Sequence, residues 1–170
     1  MDPQLQYLLD RTAISETIVR YFNSLDARDW PAMRATLAGT TDLDFSQLFG
    51  DPRAVLDSDD FVAYAVTVLS GFRATQHISA NHVITIDGDR ARALAAMSAW
   101  HRADMDPGVV DTFMLRGRYD IGMVRAGDAW RMDKLHMTVW DEEGNKAVFQ
   151  AARQAWEASH AADASVADSR

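Results

Sequence analysis

The chain has 170 residues, 48% of them hydrophobic and 25% charged, with a net charge of −8 and no cysteine. That length suits one domain with its own core. The acidic balance, with Lys and Arg scattered rather than clustered, excludes a nucleic-acid binder and argues against docking on an anionic membrane. The lack of cysteine removes a disulfide framework, a thiolate zinc site and a cysteine nucleophile.

Asp2-Pro3 opens a helix, with Asp as N-cap and Pro at the first helical position. The opening stretch MDPQLQYLLDR lacks the basic region and long apolar run of a signal peptide. No apolar run in the chain is long enough to span a bilayer, so a cytoplasmic location is expected. The helix runs to about Asp26, with a break near Asp10–Thr12. Along it Ile14, Ile18 and Phe22 recur every four residues, a face turned to a core. The next step of that stripe is Asp26. A carboxylate there is costly to bury without a partner and opposes the macrodipole at a helix C-terminus. It either turns outward, caps the next segment, or is held by something inside.

Asp29 caps a short helix, WPAMRATL, ended by Gly39. TTDLDFSQLF reads as a strand and Asp51-Pro52 as a turn. Ser58 or Asp59 caps a further helix, DFVAYAVTVLSGF, that stops near Gly71. The pattern then changes. ATQHISANHVITI and RARALAAMSAWHRAD flank Asp87-Gly88-Asp89, a hairpin signal. TFMLRGRYDIGMV and AWRMDKLHMTVW flank Ala126-Gly127-Asp128, a second one. NKAVFQAARQAWEASH is a terminal helix. The domain is expected to span 1–156, with a disordered tail over 157–170 that has little to bury. Helices followed by a meander indicate an α+β fold.

Side chains alternate along strands. Ala91, Ala93, Ala95, Met97, Ala99 and His101 therefore share one face, and small residues there either seat a helix or line a cavity. His77, Ser79 and Asn81 share a face, with Ile78, Ala80, His82, Ile84 and Ile86 opposite. Trp130, Met132, His136 and Thr138 share another. Taken singly, Tyr21, His77 and His101 read as structural residues, as do His82 and His136. The chain has no HExxH, no glycine-rich phosphate loop and no nucleophile elbow. A metal, a nucleotide and a serine nucleophile are all unsupported.

The text LLDRTAISETIVRYFNSLDARDWPAM resembles the opening of the SnoaL-like proteins, within the nuclear-transport-factor-two-like superfamily. TQHISANHVITIDGDRARALAAMSAWH resembles their histidine-bearing strand, Asp-Gly hairpin and following strand. RGRYDIGMVRAGDAWRMDKL resembles their next hairpin, so the likeness spans roughly Leu5 to Glu142. It implies a cystatin-like α+β barrel: a cone-shaped, curved antiparallel sheet around an apolar pocket that the N-terminal helices close. Within the family the chain most resembles the scytalone-dehydratase-like and bile-acid-dehydratase-like branch. Those enzymes use a tyrosine and an aspartate on this helix and a histidine on the following strand, which Tyr21, Asp26 and His77 match. His101 fits the second histidine of scytalone dehydratase, where the bile-acid enzyme has an aspartate. A dehydrochlorinase in the branch shares the Asp–His pair, so the pair does not fix the leaving group.

The resemblance implies an acid–base lyase that needs neither cofactor nor metal and eliminates water from a small apolar hydroxy-carbonyl compound. His77 is then the base, Asp26 its partner and Tyr21 a donor to the substrate oxygen. His101 either pairs with Asp26 in place of His77 or protonates the departing hydroxyl. A ketosteroid-isomerase-like isomerase, a polyketide cyclase and a non-catalytic binding or partner-subunit cone stay open as alternatives. The resemblance also implies a homo-oligomer, a trimer before a dimer, with Trp100, Leu94 and Ile84 on the outer sheet face.

Overall fold

The computed structural model describes residues 2–167. Helix α1 (Pro3–Ala27) is followed by α2 (Trp30–Thr36), β1 (Leu37–Asp44), α3 (Ser46–Phe49), β2 (Ala54–Asp57) and α4 (Ser58–Leu69). The meander β3 (Ala74–Asp87), β4 (Arg90–Arg102), β5 (Thr112–Ala126) and β6 (Ala129–Gly144) comes next, then α5 (Val148–Ala167). The six strands form one curved, unclosed sheet in the order β2-β1-β6-β5-β4-β3. The class is α+β, as expected. The sheet is antiparallel except where β1 runs parallel to β6, and β2 is a second early strand that the sequence pattern does not announce.

Local chemistry accounts for most of the boundaries. The Asp2 side chain accepts from the Gln4 and Leu5 amides and starts α1, and Asp29 accepts from the Ala32 amide and starts α2. Gly88 and Gly127 take positive φ in the two-residue turns of the hairpins, a conformation that costs glycine little. Several boundaries differ from expectation. Helix α2 ends at Thr36, and Gly39 lies within β1. Only the first part of TTDLDFSQLF is strand, because Ser46–Phe49 coils into a helical turn. Asp57, not Ser58 or Asp59, caps α4, its side chain accepting from the Asp59 amide. The expected tail is helical as far as Ala167, in keeping with its alanine content and alanine's high helix propensity. Asp168 to Arg170 lie outside the described residues.

Helix α1 is continuous through Asp10, where a break was expected. Asp10 is 7% exposed. Its carboxylate accepts two bonds from the Arg125 guanidinium, at 2.9 and 2.8 Å, one from Trp130 Nε1 at 3.1 Å and one from Gln6 at 3.1 Å. Arg125 also lies 4.4 Å over the Trp130 ring. The polar residue that looks like a helix break is the anchor of α1 to the β5–β6 hairpin.

Two of the register shifts in the sheet reset the faces on which the histidines lie. Between Ala80 and Val83 the β3–β4 register shifts, and Asn81 takes φ 54°. The extra residue turns the following side chains over, so His82 and Ile84 join His77 and Ser79 on the inner side. Ile84 is 6% exposed and is no outer-face residue. A second shift, between Gly122 and Met123 of β5, leaves Asp133 of β6 unpaired. Trp130 and Met132 face inward, and past the bulge so do Leu135 and Met137. His136 and Thr138, expected beside Trp130, therefore face out.

Candidate functional site

Ile14, Ile18, Tyr21, Phe22 and Leu25 of α1 are buried, and this face delivers Asp26 to the inner edge of β3. The Asp26 carboxylate accepts from Thr75 Oγ1 at 2.8 Å, from the His77 backbone amide at 2.7 Å and from His77 Nδ1 at 2.7 Å. The macrodipole objection is answered by Arg28. Its guanidinium donates to the Leu25 carbonyl at the helix end (2.6 Å) and to Thr75 Oγ1 (2.8 Å). A cation thus covers the C-terminal carbonyls, and Thr75 passes the interaction on to Asp26. Partial burial raises the Asp26 carboxyl, but the bonds from His77 and Thr75 outweigh it and leave the pKa lowered.

An ionised carboxylate only accepts, so the Nδ1 of His77 carries a proton, and in the neutral ring Nε2 holds the lone pair. The His77 side chain is 8% exposed and lines a cavity of about 80 Å³. That is space for several waters, each needing roughly 10–15 Å³. The walls are almost wholly apolar and aromatic. Phe45, Leu48, Phe49, Phe61 and Tyr64, from the segment between α2 and β3, all line it, and Phe149 reaches in from α5. Helix α5 sits tightly on this region: a Cβ on Gly71 would lie 1.7 Å from the Ala152 carbonyl oxygen. Of the alanine row only Ala99 lines the cavity, while Ala93 and Ala95 belong to the core.

The structure brings Tyr21, Asp26, His77 and His101 into one neighbourhood, with Asp26 bonded to His77 and not to His101. His101 is 2% exposed, and its ring packs 5.2 Å from that of His77 and 4.8 Å from Phe149. Its Nδ1 has no hydrogen-bond partner. Burial, then the neighbouring His77, pushes its pKa down to about 3, so it is neutral at physiological pH. Tyr21 is 2% exposed, and burial raises its hydroxyl well above the usual value.

Two further residues complete the picture. Tyr119 on β5 lines the same cavity and was missed in the sequence, although the inward alternation Phe113, Leu115, Gly117, Tyr119, Ile121 points to it. His82, turned inward by the bulge, lies between Ser15 Oγ and Ser79 Oγ, each 2.8 Å from a ring nitrogen. His136 lies 3.0 Å from Asp42 on the outer side, without hydrogen-bond geometry. Among the described residues no group of three or more His, Asp or Glu side chains is arranged to hold a metal ion, and no helix is long and apolar enough to cross a membrane.

A curved sheet with a carboxylate–imidazole pair at the wall of an apolar cavity defines a small pocket domain of α+β class. A profile of the SnoaL-like domain matches residues 6–136. The chain belongs to the SnoaL-like family. No functionally curated protein matches it significantly in sequence. Among solved structures it is similar to the Kfla4162 protein of Kribbella flavida, with 28% identity and a TM-score of 0.81 over 85% of this chain and 99% of that one. It is also similar to a Novosphingobium aromaticivorans protein provisionally assigned as a scytalone dehydratase, with 17% identity and a TM-score of 0.71 over 82% of this chain and 89% of that one. A third likeness is to a hexachlorocyclohexane dehydrochlorinase of Novosphingobium barchaimii, with 13% identity and a TM-score of 0.67 over 84% of this chain and 94% of that one. At those last two identities the likeness is one of fold.

Proposed function

We propose that the protein is a cofactor-independent acid–base enzyme, and specifically a dehydratase acting on an apolar β-hydroxy carbonyl compound. The observation that carries this reading is the 2.7 Å contact between Asp26 Oδ1 and His77 Nδ1, which leaves Nε2 as the basic nitrogen of a cavity-lining residue. In this reading Nε2 takes the proton next to the substrate carbonyl, and the C–H electrons move onto the carbonyl oxygen. Asp26 stabilises the imidazolium that forms. Tyr21 donates to the enolate oxygen. The enolate collapses, the β-carbon–oxygen bond breaks, and the departing hydroxide takes the proton from the His77 imidazolium as water. His101, neutral and deeply buried, is the poorer acid for that last transfer. It serves as a polar wall of the pocket.

General acid–base assistance of this kind is typically worth about 10²–10⁴-fold, and one positioned oxyanion donor about 10²–10³-fold. Together they suit a proton already acidified by a carbonyl. Two structural relatives bear names that denote eliminations, a dehydratase and a dehydrochlorinase, which fits a lyase but leaves the leaving group open. The same reading takes the chain as a homo-oligomer, a trimer before a dimer, with Leu94 and Trp100 on the outer sheet face. A monomer in light scattering at micromolar concentration overturns that part.

The test is a panel of cyclic ketones and β-hydroxy ketones in D₂O, with His77→Ala as control. Exchange of α-protons, followed by NMR, reports the base. Loss of water, followed by the ultraviolet absorbance of the enone, reports the elimination. Exchange with no loss of water turns the assignment to an isomerase. No exchange with any ketone removes the acid–base reading and leaves a binding or partner-subunit cone.

A further inference from the structure

Between α1 and β3, outside the cavity, runs a groove of about 300 Å³. Phe22 and His77 line both spaces and so divide them. Val19 and Ile78, both exposed, give the groove apolar walls, and Asn23 and Gln76 bring side-chain amides to it. Ser79 also opens onto it.

The Ser79 hydroxyl has a base beside it. The His82 ring lies between two hydroxyls, with Nε2 2.8 Å from Ser79 Oγ and Nδ1 2.8 Å from Ser15 Oγ. Ser15 stands on α1, 67 residues from His82, so no sequence motif announces the cluster. The bulge of β3 makes it: without the extra residue, the His82 side chain would point to the other face. Asn81 takes φ 54° there, which residues other than glycine seldom adopt, and strain of that kind gathers at functional sites. Burial, then the Arg11 guanidinium, holds His82 below the ordinary histidine range, so its ring is neutral at physiological pH. A neutral ring has one N–H and one lone pair. When Nδ1–H donates to Ser15 Oγ, the Nε2 lone pair accepts from the Ser79 hydroxyl. That is the relation of nucleophile, base and orienting group.

A donor for negative charge lies on the same residue. β3 is an edge strand, and its His77 amide turns away from β4 to reach Asp26 on α1. Backbone groups of an antiparallel strand alternate with a period of two, so the Ser79 amide turns off the same edge.

We propose that Ser79 is a nucleophile, activated by His82 and oriented through Ser15, that takes the acyl group of a small ester bound in the α1–β3 groove. Ser79 Oγ attacks the ester carbonyl carbon, its proton passes to His82 Nε2, and the carbonyl electrons move onto oxygen beside the Ser79 amide. The electrons return, the carbon–oxygen bond to the alcohol breaks, and the leaving oxygen takes the proton from Nε2. Water then repeats the sequence and frees Ser79. Arg11, which donates to the His82 carbonyl at 3.4 Å, opposes the imidazolium, and Asp26 in the groove wall opposes the oxyanion. The site therefore suits esters of acidic alcohols, aryl esters above all, whose leaving group departs with little help. This activity is separate from the acid–base reading, in which neither Ser79 nor His82 takes part.

The test uses the full chain with 4-nitrophenyl acetate and, in parallel, with diisopropyl fluorophosphate, which loses fluoride to a reactive serine and leaves a stable adduct. Peptide mass mapping is expected to find the phosphoryl group on Ser79, and labelled protein to lose its cleavage of the ester. Mapping also separates Ser79 from Lys134 and Lys146, which the ester can acetylate directly. Ser79→Ala should remove the adduct, His82→Gln should slow its formation about 10²–10⁴-fold, and Ser15→Ala should slow it less. Three results overturn the proposal: Ser79 labelled no faster in the native chain than in the urea-unfolded one, adducts on other residues alone, or equal rates in wild type and folded His82→Gln. The first two read the wild type only, so they decide the matter even where a variant does not fold. Any of the three makes the cluster a structural clamp between α1 and β3.

Discussion

Asp10 and Asp26 stand on the same helix, and both are held below the ordinary carboxylate range. Their partners differ in kind. Asp10 is bound by a guanidinium, an indole N–H and an amide, groups that neither lose nor gain a proton at physiological pH. Asp26 is bound by a threonine hydroxyl, a backbone amide and an imidazole, and an imidazole can both give and take a proton. The first arrangement is closed and serves only the fold. The second leaves one nitrogen of its partner free beside a cavity. The chemistry of an acid is set less by its burial than by whether its partner can exchange a proton.

The comparison breaks most sharply in activity. Asp26→Asn and His77→Ala are expected to reduce ketone α-proton exchange by about 10²–10⁴-fold while costing the fold about 1–2 kcal/mol in urea denaturation. A large stability loss in Asp26→Asn, matching that of Asp10 variants, would make the two acids alike and undo the distinction.

The next effect is in pH dependence. In the fold His101 stays neutral down to about pH 3, whereas the unfolded side chain takes a proton near about pH 6.5. The unfolded state binds more protons across that window, so stability falls as pH drops from about 6.5 toward 3, by roughly 3–5 kcal/mol over the full span. His101→Phe should flatten that slope in denaturation curves recorded at several pH values. Asp10 works in the same direction at lower pH. Its pKa is depressed in the fold, so its contribution is present above about pH 4 and lost as the pH falls further.

Asp10→Ala should cost about 2–4 kcal/mol and leave α-proton exchange within a few-fold of wild type. Removing one partner of a buried pair strands the other, but Arg125 keeps Asp89 and some exposure, which holds the loss below the extreme. At the small end stands Arg20, paired with Glu16 one helical turn away on the exposed face of α1. Arg20→Ala should shift stability by about 0.5 kcal/mol or less, a control showing that charge on α1 matters only where it is buried.

Much of this architecture was legible in the chain. The caps at Asp2 and Asp29, the two glycine turns, the Ile14–Ile18–Phe22 stripe and the inward face of β4 follow from local periodicity and turn chemistry. Asp26 stood out because it continued an apolar stripe, and that anomaly led to the dyad. Asp10 was misread as a break because its partner, Arg125, lies on another element. Tyr119 was passed over because an aromatic residue on a buried strand face reads as core until the cavity beside it is known.

The amino-acid sequence by itself determined the elements, their order and the α+β class, because propensity, capping and hydrophobic period act within a few residues of each position. Only the tertiary structure decided the rest. The bulges at Asn81 and Asp133 turned His82 inward and His136 outward, since one extra residue inverts a two-residue period. The choice of His77 over His101 for Asp26 came from where α1 ends against β3, and it was settled by three short bonds between segments about fifty residues apart. Long-range geometry of that kind is a property of how the elements pack, and no local pattern encodes it.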